Sequence, residues 1–247
     1  FPIIGRKRDA EEHTPGELIL GGTVEHNEVE ITLDKMLVDA AFIAEVDELM
    51  AHYEIARPYA RQLGESLSTT YGRRVAIMHI LASRVSEPPY TNGPLPSYHY
   101  HANMASNVEY LDEAAWKAVE HIKENDIGGG PLSYMLPWQQ YLLMARYYGW
   151  QGGTPGAGAP VFNLTGRDTG KPGQRAGLNL KATNHIPNTN ITTGNTKFRG
   201  DFSKTIGHIS NEMAVGTLNR RGLKVVMKEQ EDRLGTLLIA SRFCGHG

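Results

Sequence analysis

Residues 43–84, IAEVDELMAHYEIARPYARQLGESLSTTYGRRVAIMHILASR, decide the fold. They read as a short helix, a break, and one long helix over 57–84. Tyr59, Leu63, Leu67, Tyr71, Val75, Met78 and Leu81 recur at intervals of four or three, so they share one helical face. Pro58 stands near the helix start, where its missing N–H costs nothing. At 1.5 Å rise per residue, Pro58 to Ser83 makes a rod of roughly 40 Å. Gly64 and Gly72 lie inside it. Interior glycine weakens a helix, so each is expected to mark the close approach of another backbone.

Upstream, Val29, Ile31 and Leu33 alternate with polar Glu28, Glu30 and Thr32, the period of a half-buried strand. Phe1 to Ile4 supplies a second apolar strand. Between them runs a charged, Gly-rich stretch in which Thr14-Pro15-Gly16-Glu17 suits a type II turn. The result is a long hairpin with little apolar surface of its own. An isolated two-stranded ribbon is marginal in water. It folds back on its own domain as an edge hairpin, or it lies across a neighbouring subunit.

Downstream, residues 35–54 lead into the body, and the Pro-rich stretch 86–104 reads as loop. Leu111 to Glu124 reads as an amphipathic helix, with Leu111, Ala115, Trp116, Val119 and Ile122 on one side. Gly128-Gly129-Gly130 ends it. Leu132 to Met135 reads as a strand, and Pro137 opens a helix to about Tyr148. Residues 149–175, rich in Gly and Pro, read as a flexible surface loop. Strands follow at Leu178 to Ala182, Thr205 to Ile209, Leu223 to Met227 and Leu234 to Ala240. Strands scattered among helices predict an α+β fold. No internal repeat is visible.

A length of 247 residues allows one large domain or two small ones with a real core. The net charge of −2 argues against a dedicated nucleic-acid binder, which carries a basic excess. No apolar run reaches the ~18 residues of a membrane span. Cys244 is the single cysteine, so no internal disulfide forms and a reducing compartment is expected. The sequence opens on Phe1 rather than Met, without a signal-peptide pattern, and residues before Phe1 are expected.

Candidate chemistry fails on specific requirements. Gly166-Arg167-Asp168-Thr169-Gly170-Lys171-Pro172 has three residues between its glycines where a phosphate loop needs four, and Pro172 replaces Ser or Thr. Tyr98-His99-Tyr100-His101 offers two imidazoles on one strand face, but a metal site needs more ligands, and Glu109 is only the nearest carboxylate in sequence. Ser66 lacks the second glycine of a nucleophile elbow and sits inside a helix. Cys244 has only Arg242 and His246 nearby, too little to hold a thiolate. Without a secretory signal, the acceptor patterns at Asn163 and Asn190 carry little meaning. Arg6-Lys7-Arg8 faces Asp9, Glu11 and Glu12; these charges pair within the ribbon or match a neighbouring subunit. No enzyme, cofactor or metal site is expected.

Several stretches keep a distinctive order and spacing: Phe1-Pro2-Ile3-Ile4-Gly5-Arg6, Pro15-Gly16-Glu17, Ile31-Thr32-Leu33-Asp34, Asp47-Glu48 to His52-Tyr53, and Tyr59. Then come Gln62-Leu63-Gly64-Glu65-Ser66-Leu67, Ala214-Val215-Gly216-Thr217 and Gly245-His246-Gly247. Together they resemble the major capsid proteins of short-tailed, T-seven-like bacteriophages, over 1–84 and 203–247. The resemblance implies the Hong Kong 97-type tailed-phage capsid fold. It implies an extended loop (1–33), a peripheral domain (34–85 and 217–247) with helix 57–84 as its spine, and an axial domain (86–216). Flexibility of the axial domain is assigned to 149–175.

The implied work is structural. Copies of the chain would assemble as hexamers and pentamers into an icosahedral head enclosing double-stranded DNA. Assembly would use a scaffolding protein in the host bacterial cytoplasm, with a portal at one vertex. Minor or decoration proteins, and weak non-specific DNA contacts, complete the implied partners; no membrane is involved. The interface candidates are Ile4, Arg6, Pro15, Leu18 and Leu20 on the loop and Glu65 on the spine helix. An encapsulin-type nanocompartment shell of the same fold is the alternative.

Overall fold

The structure is a computed structural model. It describes all residues except 6–9, 11, 17, 20, 22, 52–53, 89, 91–92, 94–97, 128–129 and 151–173. The expected surface loop at 149–175 therefore lies almost wholly outside the described residues, as does the near-miss phosphate loop.

The chain opens with a two-stranded antiparallel ribbon, β1 (Pro2–Ile4) and β2 (His26–Glu28). Its ladder runs beyond the strands: Phe1 and Val29 exchange two hydrogen bonds of 2.9 Å, and Gly5 N–H donates to the Glu25 carbonyl at 2.7 Å. A side chain on Gly5 would meet that carbonyl, which explains glycine there. Pro15 and Gly16 form the turn, and Gly16 has φ +101°, as a type II turn demands of its third residue.

The strand expected at 29–33 is not one. Pairing stops at Val29, and 31–34 cross the end of another hairpin. The reason is steric. Gly216, Gly245 and Gly247 form a trough without side chains, and Ile31 lies in it, 2.9 Å from where a Cβ on Gly247 would be. A Cβ on Gly245 would collide with the Thr32 carbonyl oxygen. Of the alternating apolar residues only Ile31 is packed; Val29 and Leu33 are exposed.

Next come β3 (Leu37–Ala44), the short α1 (Glu45–Met50) and the long α2 (Ala56–Ala82). Leu63 and Leu67 on α2 pack against Ile43 of β3 and against Leu238 and Ala240 near the C-terminus. In its second half the helix buries Ala76, Ile77 and Ile80 instead, with Ile77 and Ile80 meeting Phe198 and Phe202. At ~100° per residue, this second face is rotated roughly a third of a turn from the first. Of the single stripe from Tyr59 to Leu81, Tyr59 is exposed, Leu63 and Leu67 are buried, and Met78 and Leu81 are only partly buried at the edge of the second core, so the helix serves two cores with two faces. Its interior glycines meet side chains rather than backbone. A Cβ on Gly72 would sit 2.9 Å from the His185 ring, while one on Gly64 would touch the Leu223 methyl at an ordinary 3.6 Å.

The middle of the chain builds a four-stranded mixed sheet. α3 (Val108–Glu124) starts three residues before the expected Leu111, because Asn107 caps it by accepting from the Glu109 N–H at 3.0 Å. It buries Val108, Leu111, Ala115 and Val119, but Trp116 points away and is 58% exposed. β4 (Leu132–Leu136) leads to α4 (Trp138–Trp150); β5 (Gln174–Arg175) and β6 (Leu178–Ala182) follow. β7 (Asn190–Ile191) and β8 (Gly200–Asp201) form a small separate pair. β9 (His208–Asn211) begins later than the expected Thr205.

The sheet order is β5-β6-β4-β9, with β4 parallel to β6 and antiparallel to β9. Leu111, Ala115, Tyr134, Leu136, Met144 and Leu178 form its core.

The last two strands are far longer than expected. β10 (Thr217–Gln230) and β11 (Gly235–His246) form an antiparallel hairpin, and β3 adds to β11. The order β10-β11-β3 leaves β10 as an edge, exposed along nearly all its length.

Candidate assembly interfaces

None of the described residues of the ribbon is buried. Ile4, Pro15 and Leu18 are exposed, Leu18 at 83%, and Ile19 and Val24 are exposed beside them. Arg6 and Leu20 lie outside the described residues. Glu65 stands on α2 and accepts from Arg61 at 2.9 Å, both side chains being exposed. Such an i,i+4 surface pair contributes about 0.3–0.5 kcal/mol.

A second surface was not legible as a site. The three-stranded sheet has two faces, and its register assigns them. Leu238, Ala240, Ala41 and Ile43 face α2. The other face carries three rows, Lys228–Leu237–Phe42, Val226–Ile239–Ala40 and Lys224–Ser241–Val38, each running from β10 across β11 to β3. Val38 is 53% exposed, Phe42 40% and Val226 38%. The face is an apolar strip with a lysine at two corners. The signal was present in Lys224-Val225-Val226-Met227-Lys228, where every second residue repeats lysine, valine, lysine.

Where α2, the segment after the ribbon and the end of β11 meet, charged groups are packed against aromatic rings. Arg242 lies 3.6 Å above the Tyr71 ring, and Arg74 lies 4.9 Å from the Phe198 centroid. The fully buried His246 ring sits edge-on to both aromatics, 5.0 Å from Tyr71 and 6.3 Å from Phe198. Buried Asp34 takes the Lys197 ammonium at 3.5 Å. Burial lowers the His246 pKa, with Asp34 opposing the shift. These contacts tie the base of the ribbon to both cores.

The residues examined for chemistry resolve into structural roles. Cys244 is buried, its Sγ 3.8 Å from His246 Nε2, and burial raises its pKa, opposite to a reactive thiolate. His99 and His101 stack at 6.2 Å, and His99 Nε2 lies 2.8 Å from the Ser83 carbonyl oxygen. Among the described residues, no group of three potential ligands gathers for a metal. Ser66 is an exposed helix residue. Tyr100, Glu113 and Lys117 form a surface cluster: Tyr100 donates to Glu113 at 2.6 Å and Lys117 to the same carboxylate at 2.8 Å.

Comparison with known proteins agrees with this picture. The family profile described as "Gp10A-like: Major capsid protein" matches residues 1–247. The major capsid protein of Escherichia phage T7 is 36% identical over 70 residues, 28% of this chain and 20% of that protein. The Enterobacteria phage T3 major capsid protein is 33% identical over 94 residues, 37% of this chain and 26% of that one. These alignments thus span a fifth to a quarter of the relatives' length.

Among solved structures, a chain of the capsid of Cyanophage P-SCSP1u superposes with a TM-score of 0.79 at 27% identity, covering 100% of this chain and 78% of that one. The mature capsid of bacteriophage PhiM1 gives 0.74 at 14% identity, over 100% and 77%, a likeness of fold alone.

Proposed function

This chain belongs to the Gp10A-like major capsid protein family, and from that premise we propose how its subunits build a shell. The family is structural, not enzymatic; its place is the virion capsid, and the fold is that of tailed-phage capsids. Copies of the chain form hexamers and pentamers of an icosahedral head around double-stranded DNA. Residues 1–33 act as an extended loop laid on a neighbouring copy. Residues 34–85 and 217–247 make the peripheral domain, and 86–216 the axial domain around the symmetry axes. Ile4, Arg6, Pro15, Leu18, Leu20 and Glu65 are the proposed contact residues.

The observation that carries this reading is the ribbon, which exposes Ile4, Leu18 and Ile19 and buries none of its described residues. A two-stranded ribbon of that kind needs another surface. A head-to-tail contact closes into a ring when its rotation allows, and obligate contacts commonly bury ~2,000 Å² or more. A scaffolding protein during assembly in the host cytoplasm, a portal at one vertex and minor or decoration proteins are the remaining proposed partners. DNA contact is weak and non-specific, in keeping with the net charge of −2.

The test is deletion of residues 7–25, followed by electron microscopy of particles. The expected product is a folded, soluble subunit that closes no shells. Normal angular shells from that deletion would sink the reading.

A further inference from the structure

Among the described residues, α2 shares no hydrophobic cluster with the mixed sheet. The cluster around Leu111, Leu136 and Leu178 holds no residue of α2. Ile77 and Ile80 pack instead on Phe198 and Phe202, in the connection 183–207 between β6 and β9. What α2 meets beside them is imidazole. His208 of β9 stacks on His79 with ring centroids 5.3 Å apart. The His185 ring, in the connection, stands 2.9 Å from where a Cβ on Gly72 would be. At ~100° per residue, Gly72 and His79 share one face of α2, two turns apart. Two rings from the mixed-sheet side thus lie along one line of the helix.

Hydrogen bonds do not hold this seam. His208 is 8% exposed, and both its ring nitrogens are buried without a partner, as is His185 Nδ1. Buried polar atoms are ordinarily bonded, and unbonded ones store strain. His79 Nδ1 donates to the Val75 carbonyl at 2.9 Å. Charge does not hold it either. β9 and β4 carry no charged residue. On α2 the nearest guanidinium is Arg74, lodged over Phe198. In the connection, Lys197 is paired with Asp34, Arg199 donates to the Gly194 carbonyl, and the Asp201 carboxylate accepts from the Ser203 N–H. The one charge acting on His208 is His79. The three-stranded sheet holds α2 differently. Its seat at Leu63 and Leu67 has no titratable group, and His246 beside Tyr71 has Asp34 to offset a proton.

We propose that this histidine seam is an acid-operated joint: a proton on His79 and one on His208 part the mixed sheet from α2, while the three-stranded sheet keeps its hold on the same helix. Two cations at stacking distance repel, and each loses hydration as long as it stays buried. Withdrawal of β9 from α2 relieves both terms. The Phe198 and Phe202 cluster stays on the helix, and the chain on either side of it takes up the movement. The subunit then changes the relation of its two sheets without losing either core.

The test is pulsed electron spin resonance on the full-length subunit at about pH 7.5 and about pH 5. Spin labels at Ser66→Cys on α2 and Glu120→Cys on α3, both exposed, span the joint. Labels at Ser66→Cys and Lys224→Cys on β10 span the other seat, and the buried Cys244 stays unlabelled. An imidazole that titrates near 6.5 when hydrated and at about 4 in its buried place favours the open form roughly 30-fold more at the lower pH. The Ser66–Glu120 distances are expected to lengthen in a fraction of subunits that grows by about that factor, with the Ser66–Lys224 distances unchanged. His208→Phe keeps the stack and removes the proton site, so it is expected to hold the joint closed at both pH values. Should that variant fail to fold at neutral pH, His208→Gln takes its place with the same expectation. Identical Ser66–Glu120 distances at the two pH values overturn the proposal. So does equal broadening of both label pairs, which is general acid unfolding, or the same opening in a variant without the His208 proton site.

Discussion

His208 stacks on His79 with ring centroids 5.3 Å apart, and neither ring nitrogen of His208 meets a hydrogen-bond partner in the protein. The pair joins α2 to the edge strand β9. Burial, with a smaller push from His79, moves the His208 pKa down to about 4, and burial also lowers His79.

A base with a lowered folded-state pKa stabilises the fold fully above its unfolded value, near 6.5, and progressively less as pH falls towards the folded value. Stability should therefore fall between about pH 6.5 and 4, by up to about 3 kcal/mol from His208. His208→Phe keeps the stack and removes the proton site. Denaturant melts of subunits across that range should show a shallower acid limb for the variant. An unchanged slope would place the acid sensitivity elsewhere.

Gly245→Ala should damage the fold more than its single methyl suggests. The added carbon meets the Thr32 carbonyl oxygen, with the Leu33 Cα at 2.9 Å, and both are backbone. Overpacking of this kind costs about 1–3 kcal/mol and at times more. Gly222→Ala on β10, where nothing lies within 4 Å, is the control. Thermal midpoints of the two variants should differ clearly.

Leu67→Ala removes a side chain only 3% exposed at the contact between α2 and the three-stranded sheet. A loss of about 2–5 kcal/mol is expected from such a deletion. Ser66→Ala, one residue away and exposed, should change stability by less than about 0.5 kcal/mol. Urea unfolding of both variants checks the assignment.

Lys197→Met should strand a carboxylate. Asp34 is buried, and its Oδ2 already lacks a partner. Breaking a buried pair from one side is costly; because the lysine keeps partial solvent contact, about 2 kcal/mol is expected. Arg61→Met, which breaks the exposed pair with Glu65, should cost no more than about 0.5 kcal/mol. Equal costs for the two variants would contradict the burial argument.

The sequence was most legible where one physical demand acted alone. Leu63 and Leu67 repeat at helical spacing because one face of α2 meets a sheet. Past Gly72 the helix meets a second body, and Ile77 and Ile80 follow a different face that a single stripe does not describe. β3 is not legible as a strand because Val38, Ala40 and Phe42 are apolar on its open face, so Leu37 to Ala44 shows no polar alternation. Of β10 only Leu223 to Met227 reads as strand; apart from Leu218 and Gly222 its other residues are polar, because an exposed edge asks nothing apolar of them. The ribbon's shortage of apolar residues is readable in the sequence. The sheet strip is not, since it exists only once three strands far apart in sequence are in register.

The two anchorages of α2 have a mechanical consequence. Leu67 is seated beside β11 and Ile80 beside Phe202, and 13 residues of helix separate them by roughly 20 Å. A helix is stiff along its axis, so a tilt of about 10° at one seat moves the other by about 3–4 Å on that length. Neither seat can slip without opening a packed core. A load at the base of the ribbon therefore travels along α2 to the Phe198 and Phe202 cluster and, through His79 on His208, to the mixed sheet, which makes this helix a lever between two parts of one subunit.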